Sequence, residues 1–320
     1  MSKRFLDYTP SELSTLSRTD FLDGIRAAES RVVGAYVCPL SPNYIEKVSN
    51  LELVAAFGAD YITFEGFNPI DLQVPGLASK NIEDDKATKE VLQVDLGKGY
   101  SVLELKKLVA RPIGALLLVK TTPDQEISGL YATSIFSEDL VRHIMEAGYD
   151  FISLAGYNQA MLLDAVSKTK NIVGDKLVIE AGIPHGPGSI DGDFPSHNLR
   201  SVSTPAFVGK LAKAGADIVD IPAVGVAPGF SIEYVTTLVD AIHENKALAA
   251  ASVAHSVEGS NALTASRIAI DNKICGVDMY NVAAGGVFES VPLPEVLNQF
   301  CIAVKGKRHT YRRMAQSPLR

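Results

Sequence analysis

The sequence predicts an α/β fold, a single (β/α)8 TIM barrel with an N-terminal helical cap and long active-site loops. Three observations predict it. First, a Gly-x-Asp phrase followed by a β-branched and aromatic run occurs at Gly58–Glu65, Gly148–Ala155, Gly215–Pro222 and Gly276–Ala283. Second, three of these copies directly follow helical patterns, LELVAAF, LVRHIMEA and VGKLAKA. Third, other strand candidates fall between the copies, at Val32–Val37, Ile113–Val119, Leu177–Ala181 and Leu248–Val253. The interleaved order alternates strand and helix, which implies a parallel sheet. Eight such units fill a chain of 320 residues as one barrel rather than two domains. A doubly wound open sheet is the alternative, but no Gly-x-Gly-x-x-Gly follows the first strand, VVGAYVCPL.

Residues 1–30 read as helical and are expected to cover the bottom of the barrel. Thr9 precedes Pro10, and Glu12 stands three residues after Thr9, which matches a capping box with Pro at the first helical position. Residues 31–304 form the barrel. In each repeat, Gly suits the left-handed position after a helix, and the next run suits a buried strand. Gly58, Gly148 and Gly215, with Asp60, Asp150, Asp217 and Asp278, therefore read as structural. Val91–Leu96 is expected to add a small strand. Residues 305–320, KGKRHTYRRMAQSPLR, read as the solvated basic end of the last helix, with a subunit or polyanion contact as the alternative.

Composition excludes several classes. Hydrophobic residues make up 47% and charged residues 21%, an ordinary globular profile rather than a disordered one. A formal net charge of -7 argues against a nucleic-acid partner. Cys38, Cys275 and Cys301 form no Cys-x-x-Cys pair, so neither a disulfide framework nor a thiolate zinc site is indicated. No apolar run approaches the ~20 residues of a membrane span, and MSKRFLDYTPSEL lacks a signal-peptide core. The expectation is a cytoplasmic protein without membrane contact.

Strand alternation sorts the side chains. The second and fourth positions after each repeat Asp are apolar and should face the outer helices. The third position is Thr63, Ser153, Asp220 and Asn281, polar in all four copies. Alternate strands contribute one interior layer of four side chains, so these four should share a layer. A polar layer is either a satisfied hydrogen-bond network or the floor of an active site. One step further along the same face stands Glu65. On the odd strands, Lys120 ends the third, Glu180 lies in the fifth and His255 ends the seventh. Barrels of this kind place their active sites at this end, and a charge ending an apolar strand is costly unless paired or functional. Glu65, Lys120, Glu180, Asp220, Asn281 and His255 are therefore the catalytic candidates, with a Glu180 or Asp220 ion pair to Lys120 as the structural alternative. Ser153 and Asn158, just beyond the fourth strand, are candidates for substrate contact.

Two long connections rise from the same end, residues 67–101 and 184–203, and loops of this length commonly act as lids. The second carries His185 and His197, and His185 is a candidate for closing onto substrate. Gly259 and Ser260 precede the helix ALTASRIAIDN, and Gly285 and Gly286 follow the eighth strand. Helix starts favour anions, and barrels often bind phosphate after these two strands, so these four residues are phosphate candidates.

The stretch GAYVCPLSP, Gly34–Pro42, followed by ADYITFEGFNP, Ala59–Pro69, loosely resembles the opening of the BtpA-type barrel family. That resemblance implies a Pro-rich turn after the first strand and a second strand ending in Glu followed by Asn. Here Gly66 and Phe67 separate Glu65 from Asn68. At fold level alone the chain is similar to phosphoenolpyruvate mutase and isocitrate lyase barrels, which use Mg²⁺ and acidic strand ends, but their Lys-Lys-Cys-Gly-His loop is missing.

Three functions are compatible with these residues. The first is a lyase or isomerase acting on a small phosphorylated or carboxylated metabolite, with Glu65 or Glu180 as base and Lys120 stabilising an enolate or forming a Schiff base. The second is a metal-dependent hydrolase or mutase. Glu65, Glu180 and Asp220 would then bind Mg²⁺ or Mn²⁺, and His255 and His185 would tilt the choice towards zinc or iron. The third is a barrel that binds a ligand or assists assembly without turnover. The expected partner is a small anionic molecule, and barrels of this size often form homo-oligomers.

Overall fold

A computed structural model describes residues 2–92, 94–183, 199–254, 256–284 and 291–320. Eight parallel strands close in sequence order, β1 to β8, with β8 paired to β1. They are Val32–Val37, Tyr61–Phe64, Ile113–Leu118, Phe151–Ala155, Val178–Gly182, Ile218–Pro222, Leu248–Val253 and Met279–Val282. This is the TIM-barrel architecture. The helices are α1 (Pro10–Leu13), α2 (Arg18–Ala28), α3 (Asn50–Ala56), α4 (Ile82–Leu92), α5 (Val102–Val109) and α6 (Glu138–Ala147). They continue as α7 (Gln159–Val173), α8 (Leu199–Val202), α9 (Pro205–Ala214), α10 (Ile232–Glu244), α11 (Ala262–Ile274) and α12 (Pro294–Ala315). No helix among the described residues is long and apolar enough to cross a membrane.

The repeat Asp residues pin each even strand to the odd strand before it. Each gives its backbone N–H to, and takes one from, the facing strand. Asp60 bonds Val33 this way, Asp150 bonds Ile113, Asp217 bonds Ile179 and Asp278 bonds Ala249, all between 2.7 and 3.0 Å. Each carboxylate then meets a basic group. Lys305 (2.7 Å) and Arg313 (3.0 Å) bind Asp60, Lys106 (2.6 Å) binds Asp150, Arg18 binds Asp217 and His243 (2.8 Å) binds Asp278. The repeat glycines have φ of 107°, 88°, 119° and 85°, the left-handed region that favours glycine.

The N-terminal segment closes the strand starts. Phe5, Leu6, Tyr8, Leu13, Phe21, Leu22 and Ile25 pack on Val32, Tyr61, Phe151, Val178, Ile218, Leu248 and Met279. Thr9 and Glu12 form the expected capping box, and Pro10 starts α1.

Two expectations are corrected. Val91 and Leu92 lie in a helix rather than the expected strand: Ile82–Leu92 opens on Glu83, Asp84 and Asp85, a charge order that suits a helix N-terminus. The basic C-terminal run is not simply a solvated helix end. The helix breaks at Gly306 (φ 75°), and Lys305 and Arg313 are buried on Asp60. Arg313 also donates to the Phe5 and Tyr8 carbonyls, tying the last helix to the N-terminal plug. A buried carboxylate needs such partners, because an unpaired one carries a large desolvation cost.

Candidate functional site

The barrel interior is built in layers. Tyr61, Phe151, Ile218 and Met279, each the residue after a repeat Asp, form the lowest even-strand layer and pack with the N-terminal plug. Gly34 and Gly114 face two of these rings across β1–β2 and β3–β4. A Cβ at Gly34 would lie 2.1 Å from Tyr61, and one at Gly114 would lie 2.1 Å from Phe151. These glycines are required for space, because the rings fill the volume their side chains would take.

Above the rings the interior turns polar. Thr63, Ser153, Asp220 and Asn281 occupy the next even-strand positions, and Glu180 on β5 is in register with Ser153. The Asn281 amide joins two carboxylates: its Nδ2 donates to Glu180 Oε1 at 2.6 Å and to Asp220 Oδ1 at 3.2 Å. The Tyr61 hydroxyl, rising from the layer below, donates to Asn281 Oδ1 and lies 2.9 Å from the Tyr280 carbonyl oxygen. That contact orients the amide, so its nitrogen faces the acids. Ser252 Oγ lies 2.7 Å from both Asp220 oxygens. Glu180 is fully buried, and Asp220 is only partly so. Of the buried polar side-chain atoms that lack hydrogen-bond partners among the described residues, Glu180 Oε2 and Thr63 Oγ1 belong to this layer. Ser153 lies close enough to favour an ionised Glu180, but it makes no hydrogen bond of usual geometry to Oε2.

This environment resists two negative charges. Burial, and then the nearby Asp220, pushes the Glu180 carboxyl up to about 8 against the pull of Asn281 and Ser153. Burial pushes Asp220 up to about 7 against Ser252 and Asn281. The two groups titrate together, and the direction is the same for both: the pair resists losing its last proton near neutrality. Tyr36, also inside, is held well above the ordinary tyrosine range, first by burial and then by Glu180, Asp220 and Glu65.

Towards the mouth, Tyr36, Leu116, Leu118, Ile127 and Ala155 form an apolar cluster joined by Tyr131, Ile135, Ala283 and Ala284. Glu65 is half-buried beside it, and the Tyr131 hydroxyl donates to its Oε2 at 3.3 Å. Lys120 is also half-buried, and it is not among the groups that act on Glu180 or Asp220. In place of the alternative ion pair to Lys120, the two acids share a neutral bridge, Asn281.

Other candidates have different places. Asn158 caps α7: its Oδ1 accepts from Ala160 and Met161 N–H, and its Nδ2 donates to the Thr121 carbonyl. Gly259 and Ser260 do not present free N–H groups for phosphate. Their own N–H groups donate to the Ser256 and Val257 carbonyls, and the next helix start is capped by Asn261 Oδ1. Among the described residues no three His, Cys, Asp or Glu side chains converge as a metal requires. Glu65, Glu180 and Asp220 thus do not assemble the expected oxygen cage. Glu65 belongs to a higher layer, and the N–H donors of Asn281 lie between the other two. His185, His197, His255, Gly285 and Gly286 lie outside the described residues.

Tyr61 and Ser252 are the functional neighbours that sequence reasoning missed. Tyr61 had a visible signal, an aromatic residue after the repeat Asp opposite a glycine in β1. Ser252 had a weaker one, the only hydroxyl in LAAASV.

The fold and interior define a TIM barrel whose polar core holds a bridged carboxylate pair at the strand level below the mouth. The chain belongs to the family described as Domain of unknown function (DUF7916), whose model matches residues 6–320. No curated protein matches the sequence. Similar solved structures include the carboxyl transferase domain of Rhizobium etli pyruvate carboxylase, at 12% identity and TM-score 0.45 over 95% of this chain and 51% of that one. A putative fructose-1,6-biphosphate aldolase from Coccidioides immitis matches at 13% identity and TM-score 0.49, over 96% and 100% of the two chains. Thiamine phosphate pyrophosphorylase from Pyrococcus furiosus matches at 12% and 0.45, over 87% and 96%. The chain spans about half the length of the carboxyl transferase structure. At these values the likenesses say nothing about this chain's chemistry, and the barrel assignment rests on its own strand order.

Proposed function

We propose that the protein is a lyase or isomerase that moves a proton at the carbon beside a carbonyl in a small carboxylated or phosphorylated metabolite. The observation that supports this most strongly is the pair Glu180–Asp220, joined through one amide nitrogen and raised into the neutral range. Proton transfer is most efficient when acid and base titrate near the working pH, and perturbed carboxyls in a barrel interior are the usual mark of such a site. Lys120, at the rim where β3 ends, would meet the anionic group of the substrate or the developing enolate. Its place at the mouth favours a carboxylate or phosphate held outside the polar core rather than within it.

The test is a panel of small keto acids, hydroxyaldehydes and their phosphates in D₂O, followed by proton NMR. The expected result is protein-dependent loss of a C–H signal beside a carbonyl in at least one compound. Asp220→Asn should slow it by ~100-fold or more. Exchange at the buffer rate for the whole panel, or undiminished exchange with the variant, would refute the proposal.

A further inference from the structure

The partners of the two acids are unequal, and the inequality places a proton. Asp220 has the Ser252 hydroxyl against both of its oxygens and the Asn281 amide on one of them. Every one of those contacts asks Asp220 to accept, which suits a carboxylate. Glu180 has the Asn281 N–H on Oε1 and the Ser153 hydroxyl nearby, while Oε2 is buried with no hydrogen bond of usual geometry. With its nitrogen shared between Glu180 and Asp220, Asn281 presents a donor rather than its carbonyl to Glu180. A neutral carboxyl then carries its hydrogen more favourably on Oε2, because the carbonyl-type oxygen is the stronger acceptor for the amide N–H on Oε1. Thr63 Oγ1 is a second buried interior atom with no partner, so the polar layer holds two unused hydrogen-bonding groups from different strands. Buried polar groups seldom remain unpaired unless a ligand or water completes them.

We infer that Glu180 Oε2–H is a donor subsite for an uncharged oxygen of the ligand, such as a carbonyl oxygen, and that Asp220 is the base of the pair. This rests on the proposed function for the identity of the ligand, whereas the place of the proton is a property of the resting protein. The reaction then balances without a redox partner. Asp220 takes the proton from the carbon beside the carbonyl, and the electron pair of that C–H bond forms the C=C bond. The C=O π pair moves to oxygen, which takes the proton of Glu180. The product is a neutral enol facing a protonated Asp220 and an ionised Glu180. An ammonium group would be a poor occupant of this subsite, since Oε2 offers a hydrogen rather than accepting one.

Isotope-edited infrared spectroscopy of the full chain near pH 7 tests the assignment. The expected result is a protonated-carboxyl band that shifts with ¹³C-glutamate label, vanishes in Glu180→Gln and persists in Asp220→Asn. A band that follows ¹³C-aspartate instead, or no protonated Glu carboxyl at all, overturns the assignment. Glu180→Gln keeps a donor at the same place but cannot release a proton. On any compound that exchanges in D₂O it should therefore hold KM within about threefold while kcat falls by ~100-fold or more. A raised KM with unchanged kcat would overturn the donor role. If the band belongs to Glu180 and no carbonyl compound exchanges, the proposed function fails and the proton assignment stands. If exchange occurs and the band follows aspartate, the reverse holds.

Discussion

Glu180→Gln should stabilise this protein, and increasingly so as pH rises. The Glu180 carboxyl is raised from 4.5 to about 8 by burial and by Asp220. Each tenfold change in proton affinity corresponds to ~1.4 kcal/mol, so ionising Glu180 inside the barrel costs on the order of 3–5 kcal/mol relative to the unfolded chain. A folded value above the unfolded one means that the unfolded chain binds fewer protons in between. Stability therefore falls as pH climbs from the ordinary carboxyl range to about 8, and the loss is complete above that. Gln has no proton to lose, and its amide is close in size and shape to the neutral carboxyl it replaces. The variant should match the wild type within about 1 kcal/mol near pH 5 and exceed it by about 3 kcal/mol or more near pH 9. Urea unfolding at pH 5, 7 and 9 with an unchanged m value measures this. A difference that stays flat with pH, or a loss of more than about 2 kcal/mol near pH 5, would refute the reasoning.

Gly34→Ala and Gly114→Ala should each lower stability by about 3 kcal/mol or more, because the new methyl would overlap the Tyr61 or Phe151 ring; thermal unfolding by circular dichroism reads it. Lys305→Met should cost about 3–5 kcal/mol at neutral pH by removing one of the two cations on buried Asp60; the denaturant midpoint checks it. The His243 imidazole is raised above its ordinary value, chiefly by its hydrogen bond to Asp278. Its contribution is present in full below the ordinary histidine range and disappears as pH rises through the raised value. Half-exposure keeps the effect small, and His243→Gln should flatten that part of the melting-temperature curve.

Much of the fold was legible because its signals are local and periodic. The Gly-x-Asp phrase marks the helix exit, the left-handed turn and the strand start together, and the β1 and β7 bounds follow from their apolar runs. β5 runs one residue later than expected, to Gly182, where its pairing with Asp220 continues. The misread places are those where tertiary partners decide. Residues 91–96 have a β-like composition, but the acidic start at Glu83–Asp85 sets a helix into which Val91 is drawn. Lys305 and Arg313 look like solvated surface charges until Asp60, far away in sequence, is seen opposite them. In the site, strand alternation brought Thr63, Ser153, Asp220 and Asn281 to one layer. It could not show that Asn281 rather than Lys120 bridges the acids, because that depends on the Tyr61 hydroxyl reaching up from the ring layer below. Nor could it show which carboxyl oxygen is left without a partner.

The bridged pair in the barrel is expected to retain a proton into the neutral range. Side-chain ¹³C NMR of the Glu180 and Asp220 carboxyls, assigned with Glu180→Gln and Asp220→Asn and followed from pH 4 to 10, measures it directly. The expected result is a final deprotonation of the pair near or above pH 7, with Glu180 the later of the two. Titration of both carboxyls in the ordinary range near 4 would contradict it.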